Sequence, residues 1–470
     1  MQSVFTRNAD LLRLHKCFKG QLLSPKDFAY NEHRRIWNGT FDRRPTFIAR
    51  CIDAADVSTI LRYAADTDHR VTVRGGGHNV AGTSIADDAI LIDLSLMRAV
   101  TVDADHRTAI AEGGCLLRDL DAATTVYGLA CPAGVVSHTG LGGLALGGGY
   151  GWLARKWGLT CDHILGAEVV LGDGTIVETT QTNEPDLLWA LRGGGGNFGV
   201  VTKFKLRLRP VSDMYLRRFL FPVNDAVAAI AAYQKFAPEQ PRDLHVVATL
   251  KSSGNDNWIP SELYGRPALF LNALWLGNPE AGRSATEALV MTSQPVSTTE
   301  SIIPYLTLQQ LGDASEPAGN RYYTKSCYLS ELSEDVATQL VVAARENPSQ
   351  RSTIDFEYLR GAINETGSET SAFPNRDAPY ICTASAQWLD SAADVENTDW
   401  ARGTITRISG HHYRGVYINY IQDETAPAAV YEPQQYHRLA ALKSRYDSSN
   451  IFRSNQNISP QRLSQRNGDR

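Results

Sequence analysis

The chain has 470 residues, 43% of them hydrophobic, and a formal net charge of −5. That length exceeds one ordinary hydrophobic core, so two or three domains are expected. The charge is dispersed, with no basic run for nucleic acid and no acidic tail, and no apolar stretch is long enough to span a bilayer.

Met1 to Asp10 hold no apolar stretch of the secretory kind, so no signal is expected. Residues 46–50 read as a strand, and 53–65 as a helix with Val57, Ile60, Leu61 and Ala64 on one face. Residues 71–73 form a short apolar strand that runs into Arg74-Gly75-Gly76-Gly77-His78, and 89–93 form a buried strand. A second mixed unit follows. It has a strand at 108–112, a helix at 116–127 and a hairpin in which 167–171 and 175–177 flank Gly172-Asp173-Gly174. Residues 202–209 alternate Phe204, Leu206 and Leu208 with Lys203, Lys205, Arg207 and Arg209, a strand with one wet face. Beyond Pro210 the strands lengthen: 244–250, 268–275, 322–329, 353–359 and 380–388. Helices at 225–236, 279–290 and 334–346 lie between some of them, which predicts an antiparallel sheet with helices on one side. The tail carries a helix at 433–446. The expected division is 1–210, 211–410 and 411–470.

The seven cysteines, Cys17, Cys51, Cys115, Cys131, Cys161, Cys327 and Cys382, form no CxxC and no zinc-ligand spacing. Reduced thiols in a cytoplasmic protein without a metal are expected.

Three glycine-rich runs carry the functional signal. The first, Arg74 to His78, follows a strand, where N–H groups unobstructed by Cβ atoms can close on a phosphate. A histidine placed there can be more than a hydrogen-bond donor, since an imidazole nitrogen can carry a covalent flavin. The second run spans Gly140 to Gly151, and residues 140–145 match a G-x-G-x-x-A dinucleotide fingerprint by letters. No clear strand leads into it from Pro132-Ala133-Gly134-Val135-Val136-Ser137-His138-Thr139, so a nicotinamide Rossmann site is not expected. A solvated linker would leave Leu141, Leu144, Leu146 and Trp152 in water. Close backbone approach to a flat, phosphate-bearing ligand fits better. The third run, Arg192 to Thr202 with four consecutive glycines, ends in a strand. Together the runs suggest one extended cofactor contacted mostly by backbone.

These runs, with the tail 431–458, resemble the covalent-flavin oxidase superfamily of vanillyl-alcohol oxidase. More narrowly they resemble the branch of berberine bridge enzyme, 6-hydroxy-D-nicotine oxidase, gluco-oligosaccharide oxidases and bacterial polyketide-tailoring oxidases. The flanks agree: Ile36-Trp37-Asn38-Gly39, Arg44-Pro45, Ile48-Ala49-Arg50-Cys51 and the end Asn450-Ile451-Phe452-Arg453-Ser454-Asn455-Gln456. The likeness covers residues 25–210 and 411–458, and is of fold type between them. It implies an α+β fold, a two-subdomain FAD-binding domain with an inserted antiparallel-sheet substrate domain. It implies FAD with its pyrophosphate on the Arg74–Gly77 loop. Further contacts would come from Gly75, Gly76, Asn79, Thr139, Gly142, Gly143, Leu144, Gly148, Gly199, Val201, Tyr417 and Asn455. His78 matches the residue that bonds the 8α-methyl carbon of the flavin. Relatives with two covalent bonds place a cysteine where this chain has Val136, and Cys131 lies five residues too early. A single histidyl bond and no cysteinyl bond are expected. By the same resemblance, residues 139–144 pass beside the flavin N5 and C4a edge. The Thr139 hydroxyl there meets N5, an oxygen species or merely backbone.

The substrate-side base is sought on residues 353–359. Alternation puts Asp355 and Glu357 on one face, turned either to water or to a cavity. The resemblance favours Glu357, because in relatives this strand crosses the flavin just before a Leu-x-Gly-Ala stretch, here Leu359-Arg360-Gly361-Ala362. It also matches Tyr417 to a flavin-facing tyrosine able to take a proton, although a core tyrosine remains the alternative. Tyr322, Tyr323 and Trp275 are further candidates for a pocket wall. The implied activity is an FAD-linked oxidase with O2 as acceptor. It would oxidise an alcohol or related carbon centre of a small secondary-metabolite-type molecule. The alternatives are a flavin oxygenase acting on a polyketide-like intermediate and a non-catalytic flavin-binding protein. No nucleic-acid or membrane partner is expected, and the chain would be a monomer or homodimer.

Overall fold

Parallel strands buried on both faces need continuous apolar runs, and the first sheet has them. Its strands lie in the order Gln21–Leu23, Phe47–Arg50, Ile90–Asp93, Val71–Arg74. The last three are parallel, and Ile48, Leu91 and Ile92 are fully buried. The helix Ala54–Asp66 packs Val57, Ile60, Leu61 and Ala64 against this sheet, and the Asp53 carboxylate caps it by accepting from the Asp56 N–H. These elements belong to a computed structural model that describes residues 14, 16–422 and 426–461. Met1 to Asp10, where no signal is expected, lie outside the described residues.

The second sheet runs Val100–Asp103, Thr108–Glu112, Val200–Arg207, Ile164–Val170, Ile176–Thr180, all antiparallel. The alternation expected after Val201 is present. Phe204 and Leu206 are buried, while Lys203, Lys205 and Arg207 are exposed. The glycine-rich stretch 140–151 opens with a short helix, Leu141–Leu146, that the composition did not suggest. Leu141, Ala145 and Leu146 are buried in the main core and hold this helix in spite of Gly142 and Gly143.

The third large sheet has seven antiparallel strands in the order Ser297–Ile303, Met214–Pro222, Pro267–Trp275, Leu244–Ser252, Thr353–Tyr358, Tyr380–Trp388, Arg321–Leu329. Period-two alternation gives it two unlike faces. Val246, Ala248, Leu250, Ile354, Phe356, Cys382 and Ala384 pack under the helices Ala226–Phe236, Glu334–Arg345 and Asp394–Arg407. Their neighbours Val247, Thr249, Lys251, Asp355, Glu357, Thr383 and Ser385 line a cavity on the other side. Three of these elements were not anticipated. Met214–Pro222 is interrupted by Arg217-Arg218, Ser297–Ile303 is a largely polar edge strand, and Asp394–Arg407 has few apolar residues. Each is held by neighbours in space, not by its own pattern.

After the sheet the chain returns to the first two units. The helix Pro433–Tyr446 places Leu439, Leu442 and Tyr446 beside Leu187, Trp189 and Phe198. Lys443 is fully buried. Its Nζ donates to Asp447 Oδ2 at 2.6 Å, Asn197 O at 2.8 Å and Phe452 O at 2.9 Å. Asp447 in turn accepts from the Ile451 and Phe452 N–H groups. One buried ion pair thus ties the tail to the third glycine run. Breaking a buried pair leaves a charge without its partner, at a cost of about 3–5 kcal/mol. Asp447→Ala is therefore expected to lower unfolding stability by about that amount, read from the urea midpoint and slope.

Candidate active site

The three glycine runs, the tail and the polar face of the seven-stranded sheet surround one cavity of about 760 Å³. Glycine is needed where the first two runs cross. A Cβ on Gly76 would lie 2.4 Å from Gly140 N, and one on Gly140 would lie 2.3 Å from Gly76 N. Gly149, at φ +81°, turns its N–H onto the Tyr417 hydroxyl at 3.1 Å. Gly143 differs, because a Cβ there would meet nothing within 4 Å. The tail closes this end: Ser454 Oγ donates to Val71 O at 2.9 Å, and Asn455 Nδ2 donates to Gly196 O at 2.8 Å.

Of the residues anticipated from sequence, Gly75, Gly76, Gly77, His78, Asn79, Thr139, Gly143, Leu144, Tyr417, Asn455 and Glu357 line this cavity. Gly142, Gly148, Gly199 and Val201 stand behind its wall: Gly142 against Gly113 and Phe204, Gly148 beside Phe373, Gly199 against Val169, and Val201 in the core. Arg74 departs from expectation. Its buried guanidinium is turned away from the cavity, bonding both Asp93 carboxylate oxygens and the His33 and Arg35 carbonyls. The Asp93 carboxylate is pulled below its usual range by this arginine, against burial, which alone would raise it. The arginine braces the loop from behind. Tyr322 lines the cavity, whereas Tyr323 and Trp275 pack on the helix side of the sheet.

The lining suits a flat cofactor with a phosphate tail. Thr72 Oγ1, Ser84 Oγ and Asn455 Oδ1 are buried cavity-wall atoms with no hydrogen-bond partner in the protein. The glycine runs bring backbone within reach, and Gly143 leaves open the space that a side chain would fill.

His78 sits with its ring stacked on Trp37, centroids 4.2 Å apart, and Trp37 stacks in turn on Tyr322 at 3.7 Å. Its Nε2 is 3.0 Å from His138 Nδ1. Burial, helped by His138, pushes the His78 pKa down to about 3, so the ring is neutral near pH 7. Val136 lines the cavity, while Cys131 is buried in the core with its thiol pKa raised by burial.

The opposite wall carries titratable groups. Glu357 Oε2 accepts from Tyr150 OH at 2.6 Å and lies 3.0 Å from His245 Nε2. His245 is 1% exposed and its Nδ1 has no partner. Burial first, then the Glu357 charge, pushes the Tyr150 phenol well above its usual pKa, so it stays a donor. Tyr417 accepts from Gly149 N–H and from Asn419 Nδ2 at 3.0 Å, and burial raises its pKa to about 12. Asp355 accepts from Thr249 and Thr353, and burial raises its pKa. Sequence reasoning missed Trp37, His138, Tyr150, His245 and Asn419 as parts of this site. Trp37, His138 and Tyr150 lie within stretches already singled out, but no local pattern pairs residue 78 with 138 or 150 with 357.

A flat-cofactor cradle opposed by a carboxylate–phenol–imidazole cluster defines a flavin-linked oxidoreductase. A family model described as an FAD binding domain matches residues 45–180, and one described as berberine and berberine like matches residues 416–459. The chain is 31% identical over 441 residues to an FAD-linked oxidoreductase of Dictyostelium discoideum, covering 93% of both chains. It is 30% identical to (R)-6-hydroxynicotine oxidase of Paenarthrobacter nicotinovorans, over 94% of this chain and 97% of that one. The solved structure of 6-hydroxy-D-nicotine oxidase from Arthrobacter nicotinovorans superimposes with a TM-score of 0.85 at 27% identity, covering 94% of this chain and 98% of that one. The chain belongs to the berberine-bridge-enzyme-like branch of the vanillyl-alcohol oxidase family of FAD-linked oxidoreductases.

The two kinds of glycine separate by mutation. Gly143→Ala is expected to fold as well as the parent, since alanine also favours helix by about 1 kcal/mol, yet to lose flavin. Gly76→Ala is expected to lower both. Thermal melting of the flavin-free chain and the ratio of flavin to protein absorbance test this.

Proposed function

We propose that this protein is an oxidase whose FAD is attached through a single bond to His78 and whose electrons pass to O2. It acts on an alcohol or related carbon centre of a small secondary-metabolite-type molecule. The observation that carries this reading is the convergence of a neutral, half-buried His78 and the Tyr150–Glu357–His245 cluster on one cavity. The absence of a thiol at Val136 supports a single bond.

When bound, the flavin supplies a two-electron acceptor for a hydride from carbon. The chain's own residues manage the proton. Tyr150 and His245 hold Glu357 Oε2, leaving Oε1 for a substrate hydroxyl or amine. Tyr417, held protonated by its high pKa, acts as a hydrogen-bond donor and orients the substrate. Glu357 is therefore the base of the pair. Trp152 and Val136 give the cavity apolar walls.

Acid denaturation of the purified protein is expected to leave the yellow colour with the precipitate, and His78→Ala to release it. Flavin still fixed to that variant sinks the linkage. Glu357→Gln is expected to slow anaerobic flavin reduction by about 10²–10⁴-fold, and Tyr417→Phe by less. If both keep the parent rate, the assignment of roles fails. Peroxide should form in step with product; oxygen from labelled O2 in the product would instead mark an oxygenase.

A further inference from the structure

The far end of the cavity carries charge that the chemistry at Glu357 does not use. Among the described residues, Lys251 and Arg351 are the lysine and the arginine of the cavity lining. Neither makes an ion pair or a side-chain hydrogen bond with the described residues. Lys251 is placed by the sheet. Its backbone lies opposite Thr353, and its ammonium rests 5.0 Å from the centre of the Phe270 ring. It keeps exposed surface, yet the protein around it removes enough water from the ammonium to lower its pKa, against the opposing charges of Asp355 and Asp256. A cation in that setting gains from an anion that a ligand brings.

The register fixes its distance from the chemistry. Val247 lies opposite Glu357, Thr249 opposite Asp355 and Lys251 opposite Thr353. From residue 247 to 251, at about 3.3 Å per residue, the strand advances about 13 Å away from Glu357. The floor between is polar, lined by Thr249, Thr353, Thr383 and Ser385. The carboxylates on the way do not cancel the cation. Asp355 accepts through Oδ1 from Thr249 and through Oδ2 from Thr353, and burial lifts Glu316 to about 8, so that it is largely uncharged near pH 7. We propose that the molecule oxidised carries an anionic group, a carboxylate or a phosphate, about that far from its reacting carbon, and that Lys251, aided by Arg351, selects for it. This rests on the reading above that the reacting carbon lies at Glu357.

The test uses the flavin-loaded full-length protein and reads ligand binding from the visible spectrum of the flavin. The probes are ω-hydroxydecanoate, ω-hydroxydecyl phosphate, and the ω-diol and ω-amino alcohol of the same length. In the parent the anions are expected to bind about fivefold more tightly than the diol, and the amine least tightly, with the gap closing as salt rises. The tighter of the two anions identifies the group. Lys251→Ala is expected to bring the ratio of anion to diol Kd close to one, Lys251→Arg to keep the parent preference, and Lys251→Glu to favour the amine. Arg351→Ala is expected to narrow the ratio. Anions that bind no better than the diol in the parent, a parent that prefers the amine, or an unchanged ratio in Lys251→Ala overturns the inference. So does the lack of any spectral change with either anion. Binding is read without turnover, so the two readings fail separately. A protein that prefers anions but never reduces its flavin sinks the oxidase and leaves the anion site; an oxidase with no such preference does the reverse.

Discussion

Two glycine runs, distant in sequence, meet backbone to backbone at Gly76 and Gly140, and the rest of the site depends on that contact. Any side chain at either position would force the loops apart. Held together, they put His78 and the Thr139–Leu144 segment on one wall. The contact is fixed from behind. Arg74 spends its guanidinium on Asp93 and two carbonyls, and Cys115 O accepts from Leu141 N–H at the start of the short helix. The loop is stiff because its one charged side chain is used for structure and not for ligand.

The facing wall follows from a different rule. A strand buried on one side and lining a cavity on the other must alternate apolar with polar residues. The central strands of the large sheet do so, and the same alternation that fills the helix-side core delivers Thr249, Lys251, Asp355 and Glu357 to the cavity. The sheet is at once the second core and the substrate-side wall. Both carboxylates are only half-buried, and each has hydroxyl or imidazole partners on its own strand, a neighbouring strand or the second glycine run.

Desolvation then sorts the titratable groups. It holds His78 neutral, keeps Tyr150 and Tyr417 protonated, and lifts Glu316 to about 8 and Asp355 above its usual value. An enclosure that removes water also decides which groups give protons and which accept them.

The sequence by itself determined the local features: the helix at Ala54–Asp66, the wet strand at Val200–Arg207, the shared face of Asp355 and Glu357, and the glycine runs that announce close backbone approach. These depend on periodicity and on missing Cβ atoms, which a chain displays without folding. The family likeness of the runs and the tail added the cofactor. Only the tertiary structure decided that Arg74 turns away, that Gly143 faces open space while Gly142 does not, and that Met214–Pro222 and Ser297–Ile303 complete the sheet. It alone paired His78 with His138 and Glu357 with Tyr150 and His245. Those contacts join residues far apart in the chain, and no local spacing specifies them. They come into being when separate cores pack together and exclude water from what lies between.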